Sequence, residues 1–146
     1  MRFCILTLIF LIACKPKREA IVYQDLPQYF VKNTIADSNQ FVWTAYTQAM
    51  FDSVFAPAAV MDIKRPISPL DFNIQWASAL VLKTDNHAQE IIVKKLQYKG
   101  KTIQVHYSIK QSKAAQSYYS RACKILLFEP YYKAFNCQWI LSKSQK

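Results

Sequence analysis

Two histidines and four cysteines are the residues of this 146-residue chain whose types suit nucleophilic or metal chemistry. His87 follows Asp85 by two positions in a polar stretch, and such an Asp-x-His pair can contact a metal ion. A zinc site needs at least three protein ligands, so this pair alone is too small a donor set. His106 lies among alternating polar residues and is expected to be solvated. We therefore predict neither a metal site nor a cofactor.

Nucleophilic and acid–base catalysis are equally hard to assemble from this sequence. A Cys–His pair needs an exposed thiolate, whereas Cys123 and Cys137 alternate with apolar residues and are expected to point inward. The nine acidic residues are scattered, and no carboxylate pair stands out. Gly100 is the only glycine, which excludes a GxGxxG loop, a P-loop and a G-x-S-x-G elbow. We expect a protein that is not an enzyme.

Cys14 carries the most specific chemical signal. Met1-Arg2 is a positive end, residues 3–12 form an apolar run too short to span a bilayer, and Ala13 is small, which is the layout of a secretory signal peptide. Leu11-Ile12-Ala13-Cys14 resembles the bacterial lipobox, which implies cleavage before Cys14 and a diacylglycerol thioether on its sulfur. The alternative is a buried apolar strand that happens to contain a cysteine. The lipobox places the protein on the lipid bilayer of the bacterial cell envelope, with the outer membrane favoured and the domain facing the periplasm or the surface.

Three segments follow from this motif. Residues 1–13 are the predicted signal peptide, residues 14–20 the lipidated cysteine with a basic tether, and residues 21–146 a single β-rich domain. Hydrophobic residues make up 52% of the chain and aromatic residues 14%, a composition that favours a folded body over a disordered tail.

Positive charge is unevenly distributed in a chain whose formal net charge is +10. Lys15, Lys17 and Arg18 stand beside the anchor, and eight basic residues but no acid occur from Lys94 to Lys124. Such a stretch favours lipid headgroups or an acidic protein surface, and in an exported lipoprotein we expect no nucleic-acid partner. The alternative is an ordinary solvated surface whose lysines suppress edge-to-edge aggregation.

Hydrophobic periodicity predicts a mainly β fold with one short helix. The helix is expected at residues 48–55 with Thr47 as its N-cap, and Lys99-Gly100 is expected to form a hairpin turn. Strands are predicted at residues 21–23, 29–31, 40–46, 76–82, 90–98, 101–110, 123–128 and 133–141. The expected architecture is a small antiparallel β-barrel or sandwich, with a meander in the C-terminal half.

The last two predicted strands bear on the cysteines. A hairpin centred on Pro130 places Cys123 opposite Cys137, within reach of a disulfide. The alternative is a pair of buried free thiols.

Meander connectivity also brings two predicted loops, residues 83–88 and 111–120, to one end of the sheet. Tyr and Arg are enriched in binding hot spots, so this end is the predicted partner-binding site. Its candidate residues are Lys83, Thr84, Asp85, Asn86, His87, Tyr118, Tyr119 and Arg121. Alternatively, these residues only close the end of the barrel.

Several segments together resemble a known family. They are Pro69-Leu70-Asp71-Phe72, the apolar strand at 76–82, Tyr98-Lys99-Gly100-Lys101, the alternating run 103–107 and residues 121–129. This pattern is similar to the small secreted domains related to the C-terminal part of the PrcB protease-complex subunit. Lipoproteins of this general kind, the potempins, are protease inhibitors built on a small β-barrel.

The resemblance implies a protein-binding module whose partner is an envelope or secreted protease, acting as a protease inhibitor or protease-complex accessory. The alternative is a structural or assembly lipoprotein that uses a basic face on lipid headgroups.

Overall fold

The computed structural model describes residues 20–36, 39–58 and 69–142. The predicted signal peptide, Cys14 and the basic residues Lys15, Lys17 and Arg18 lie outside these ranges, so the lipid anchor remains a prediction. Within the described ranges, none of the helices has the length and apolar character needed to cross a membrane.

The described chain is mainly β with one short α-helix, as predicted. Its elements are β1 (Tyr23–Asp25), β2 (Tyr29–Val31), β3 (Phe41–Ala45), α1 (Gln48–Val54), β4 (Phe55–Pro57), β5 (Trp76–Val81), β6 (Asp85–Lys99), β7 (Thr102–Ser120), β8 (Cys123–Phe128), a 3₁₀-helix (Pro130–Ala134) and β9 (Asn136–Leu141). The strands form three sheets, ordered β1-β8-β5-β3, β2-β4 and β6-β7-β9. Because the described strands do not close into a barrel, the barrel alternative is wrong, and the arrangement fits a sandwich.

β5 is the central strand of the core, and all six of its residues are buried. Ala77 and Val81 share a buried cluster with Phe51 of α1. Trp76 belongs to a second cluster with Ile103 of β7. Since alternate side chains of a strand point to opposite faces, β5 is covered by α1 on one face and by the third sheet on the other. This explains why residues 76–82 form an almost continuous apolar run.

α1 begins where its capping residue predicts. The Oγ1 of Thr47 accepts a hydrogen bond from the backbone N–H of Met50 at 3.2 Å. Phe51 and Val54 are the buried residues of the helix, and Phe55 starts β4 directly afterwards. The helix is only seven residues long, so its stability comes from packing these side chains on the first sheet.

The β6–β7 hairpin confirms the predicted turn with a shift of one residue. Lys99 pairs with Thr102, so Gly100 and Lys101 are the two turn residues. Gly100 has a φ of 59°, the left-handed region that glycine adopts without a steric penalty. Ile103, Val105 and Tyr107 are all buried, as the alternation of β7 predicts.

The predicted hairpin between the last two strands is wrong. β8 lies inside the first sheet between β1 and β5, and β9 runs parallel to β7 in the third sheet. The 3₁₀-helix separates the two strands, and the apolar β8 needs neighbours on both edges, which one hairpin partner does not supply. Cys123 therefore pairs with Val81, and Cys137 pairs with Ile103. Both cysteines are free thiols, so the possible disulfide is not formed.

The predicted meander is also confined to the β6–β7 hairpin. β5 pairs with β3 and β8, and it does not pair with β6. Val81 lies opposite Cys123, and Asp85 lies opposite Ser120. The segment from β5 into β6 and the segment from β7 into β8 thus form one long ribbon that passes from the first sheet into the third. The predicted partner-binding residues lie where this ribbon changes sheet.

Candidate protein-binding site

The two predicted loops do come together at one end of the sheets, but most of their residues are strand. Asp85 pairs with Ser120, His87 with Ala115, and Gln89 with Gln111. Between the first and the last of these pairs, β6 has three residues (86–88) whereas β7 has eight (112–119). The five additional residues of β7 make a large irregularity of the bulge type, which is why the sequence there resembles a loop.

This irregularity leaves two tyrosines on the surface. Tyr118 is 59% exposed and Tyr119 is 74% exposed. The Nε2 of Gln116 donates a 2.8 Å hydrogen bond to the Tyr118 hydroxyl, which restrains that ring. Restrained aromatic side chains bring a large contact area at a low cost in conformational entropy, and Tyr is common among binding hot spots. We refer to Tyr118 and Tyr119 as the tyrosine pair.

Arg121 has a structural role that the sequence did not predict. Its Nε donates to the carbonyl of Leu82 at 3.1 Å, and its Nη1 donates to Ala36 at 3.2 Å and to Ile35 at 3.4 Å. Its guanidinium also lies over the ring of Phe41, 5.2 Å from the centroid. Arg121 therefore holds residues 35–36 against the end of the first sheet.

A pocket of about 240 Å³ lies beside the tyrosine pair. It is lined by Val31, Lys32, Asn33, Ile35, Thr84, Tyr119, Ser120 and Arg121. Three of the predicted site residues, Thr84, Tyr119 and Arg121, meet here with residues that sequence reasoning missed. The segment 31–35 was missed because it is far away in sequence, and its only signal was a polar turn after a short strand.

The Nη2 group of Arg121 is buried and has no hydrogen-bond partner in the described part of the chain. A buried donor without an acceptor costs about 1–3 kcal/mol.

Asp85 and His87 form a local turn, and their contacts are structural. The Oδ1 of Asp85 accepts from the backbone N–H of His87 at 2.7 Å and lies 3.0 Å from its Nδ1. The Oδ2 of Asp85 accepts from Gln111 Nε2 at 3.3 Å, which ties the turn to β7. The backbone hydrogen bond from His87 lowers the pKa of Asp85 below its ordinary value. In the described ranges, no cluster of three or more His, Cys, Asp or Glu side chains could hold a metal ion.

The remaining loop candidates are peripheral. Lys83 is exposed, and Asn86 is half-buried within the irregular part of the ribbon. Neither residue lines the pocket. They extend the polar surface around it.

Neither Cys123 nor Cys137 has an activated thiolate. Burial raises the pKa of Cys137 from 9.0 to about 11, and burial also raises the pKa of Cys123. Both thiols are therefore protonated at neutral pH, whereas thiolate chemistry needs a lowered pKa.

The basic stretch from Lys94 to Lys124 divides into two classes. Lys124 forms an ion pair with Asp25, and Arg121 donates hydrogen bonds to backbone carbonyls, as described above. The six other members are exposed, namely Lys94, Lys95, Lys99, Lys101, Lys110 and Lys113. Lys95 lies opposite His106, and Lys99 lies opposite Thr102. These two lysines and Lys110 share the outer face of the third sheet, on the side away from Ile103 and the core.

A second groove, of about 500 Å³, lies at the other end of the β6–β7 hairpin. Four aromatic rings line it together with Gly100 and Glu129, namely Tyr98, Tyr131, Tyr132 and Phe135. Tyr131 is 74% exposed there. Sequence reasoning treated this stretch only as a turn and did not predict the groove.

Comparison of the chain with protein-family models, with curated proteins and with solved structures finds no match. The resemblance to PrcB-related and potempin-type domains therefore stays a prediction from the residues quoted above.

Proposed function

We propose that this protein is a lipid-anchored, non-enzymatic protein-binding module of the bacterial cell envelope. Cys14 carries the anchor, and the tyrosine pair with its neighbouring pocket forms the binding surface. The observation that carries the proposal is that two exposed tyrosines sit on a ribbon whose base is fixed by Arg121. Binding surfaces gain affinity when their aromatic anchors are held in place before the partner arrives.

The anchor and the tether support this function by position. Residues 15–20 are a short connection between Cys14 and the first described strands. The binding surface would then work close to the bilayer, where a membrane-associated or secreted partner can reach it. Two or more acyl chains are needed for stable attachment, and a lipobox cysteine supplies them.

The partner class is narrowed by the resemblance described above. PrcB-related and potempin-type domains suggest a protease or a protease complex, so inhibition of a protease is the specific form of the function that we propose first. Purified full chain would be assayed against proteases secreted by the same cell. Inhibition that disappears when both tyrosines of the pair are replaced by alanine supports this form, and unchanged proteolysis contradicts it.

Capture of a partner tests the general function independently of proteolysis. The full lipidated chain would be cross-linked in its native envelope, together with a Tyr118→Ala/Tyr119→Ala variant. Tyr131→Ala is the matched control, because Tyr131 is as exposed as Tyr119 but lies in the second groove. We expect one partner that the wild type and the control retain and the double variant loses. A partner that all three proteins capture equally would show that the tyrosine pair is not the binding surface.

A second candidate function rests on the exposed lysines of the outer face of the third sheet, Lys95, Lys99 and Lys110. The sequence from residue 94 to residue 124 contains no acid, although Glu90 of β6 lies opposite Lys110, and a basic surface attracts anionic headgroups. In this alternative the protein is a structural or assembly lipoprotein. Salt-sensitive binding to phosphatidylglycerol vesicles that is lost in a Lys95→Gln/Lys99→Gln/Lys110→Gln variant would favour it over the first candidate.

A further inference from the structure

The pocket beside the tyrosine pair has an unusual balance of charge. Lys32 and Arg121 contribute two positive charges, and Asn33, Thr84 and Ser120 contribute polar side chains. None of the described residues that line the pocket is acidic.

Both cations are held at the pocket by neutral acceptors. Lys32 Nζ donates to the backbone carbonyl of Asp52, and the hydrogen bonds of Arg121 go to the carbonyls of Ile35, Ala36 and Leu82. Neither side chain forms an ion pair with a described carboxylate. Backbone carbonyls position a cation without neutralising it, so these contacts leave the two charges uncompensated within the described part of the chain.

We infer that this pocket receives the carboxylate of an acidic side chain, Asp or Glu, from the partner protein. The inference rests on the proposed binding function and specifies the chemistry of the partner. Val31, Ile35 and the ring of Tyr119 give the pocket apolar walls, which suit the methylene groups that carry a side-chain carboxylate. The exposed lysines on the outer face of the third sheet are a separate surface, and it is there that a lipid headgroup would find a concentration of charge.

The test uses two peptides that differ only in charge. The ¹⁵N-labelled full chain in detergent micelles would be titrated with acetyl-Ala-Glu-Ala-amide and with its glutamine counterpart. We expect saturable chemical-shift changes at the backbone amides of Thr84 and Ser120 and at the Nε–H of Arg121 with the glutamate peptide only. Equal changes with both peptides, or no saturable change with either, would overturn the inference.

Two variants separate a built site from general attraction between charges. Lys32→Gln should weaken binding of the glutamate peptide by roughly tenfold, because it removes one charge-assisted hydrogen bond. Lys110→Gln is the matched control, since it removes the same charge from an exposed position on the third sheet, and it should leave the affinity unchanged. Equal weakening by both variants would contradict a specific pocket.

The source of the anion is tested in a parallel titration with glycerol 1-phosphate, the soluble part of a phospholipid headgroup. Pocket shifts with glycerol phosphate, but none with the glutamate peptide, would assign the pocket to a headgroup and overturn the inference. Failure of the peptide titration while cross-linking still depends on the tyrosine pair would remove the inference and leave the proposed function in place. If the peptide titration fails and cross-linking also does not depend on the tyrosine pair, the inference and the proposed function are both overturned.

Discussion

The Nε1 of Trp139 donates a 3.0 Å hydrogen bond to the Oγ of Ser78, joining the last strand to the central strand across the interior. Ser78 is one of two buried polar residues in the described core, and Trp139 packs against two of the three core clusters. The contact connects the first sheet with the third sheet. It helps to fix the distance between the layers whose shared ribbon carries the candidate site.

Replacing Ser78 with alanine should therefore destabilise the fold. The indole N–H of Trp139 would lose its acceptor in a partly buried place, and we expect a loss of about 1–3 kcal/mol in the free energy of unfolding. Chemical denaturation of the purified chain measures this value. Ser108→Ala, on the outer face of the third sheet, should change stability by less than about 0.5 kcal/mol. A similar loss in both variants would show that the Trp139–Ser78 hydrogen bond adds no measurable stability.

Gly100→Ala tests the hairpin turn. A Cβ at Gly100 would meet no heavy atom within 4 Å, so the substitution introduces no clash. The φ of 59° nevertheless costs an alanine about 1–2 kcal/mol, since an L side chain disfavours this region. Thermal unfolding should show this loss, and Gly100→Asn should lose less, because asparagine tolerates the left-handed region. Identical unfolding of the wild type and Gly100→Ala would contradict the turn conformation.

Cys137 makes a defined contribution to the pH dependence of stability. Its pKa rises from 9.0 to about 11 on folding, because burial disfavours the thiolate. The folded state then holds its proton more tightly than the unfolded state. The contribution is fully present below pH 9 and is lost as the pH rises toward 11, on the order of 3 kcal/mol in all.

The measurement compares unfolding of the wild type and Cys137→Ala between pH 8 and pH 11. The wild type should lose stability faster than the variant above pH 9, while Cys123 contributes equally to both proteins. Parallel curves would contradict a buried, protonated Cys137 thiol.

Cys14→Ala tests the anchor. The variant should fold normally but leave the membrane fraction, because the thioether on the Cys14 sulfur is the proposed site of lipid attachment. Fractionation followed by immunodetection measures its distribution, and Cys137→Ala is the control for losing a cysteine elsewhere. Retention of Cys14→Ala in the membrane fraction would contradict the lipobox interpretation.

Local sequence patterns predicted the elements well where neighbouring residues decide the structure. Thr47 caps α1, Phe51 faces the core, and Gly100 turns the β6–β7 hairpin, because each outcome depends on contacts a few residues apart. Residues 111–120 were predicted as a loop but belong to strand β7. Their predicted position, at one end of the sheet beside residues 83–88, is correct. Composition indicated an irregular, polar stretch, and pairing with β6 nevertheless drew it into the ribbon.

Partner choice between strands was the point at which prediction failed. Cys123 and Cys137 stand close in sequence, and a simple hairpin would have joined them. Cys123 instead pairs with Val81, because an apolar strand such as β8 is stabilised more by two neighbours inside a sheet than by one hairpin partner. The structural role of Arg121 was likewise not predicted, because only the fold brings its guanidinium to the carbonyls of residues 35–36.

The sequence by itself determined the chemistry available to this protein. It supplied the residues around Cys14 that resemble a lipobox, the near absence of glycine, the apolar central strand and the basic stretch, all of which depend on residue types and short spacings. Only the tertiary structure decided which distant residues meet. Lys32 joins Tyr119 and Arg121 at one pocket because β2 and the β7–β8 ribbon pack together, and contacts of this kind depend on long-range burial that no local pattern records.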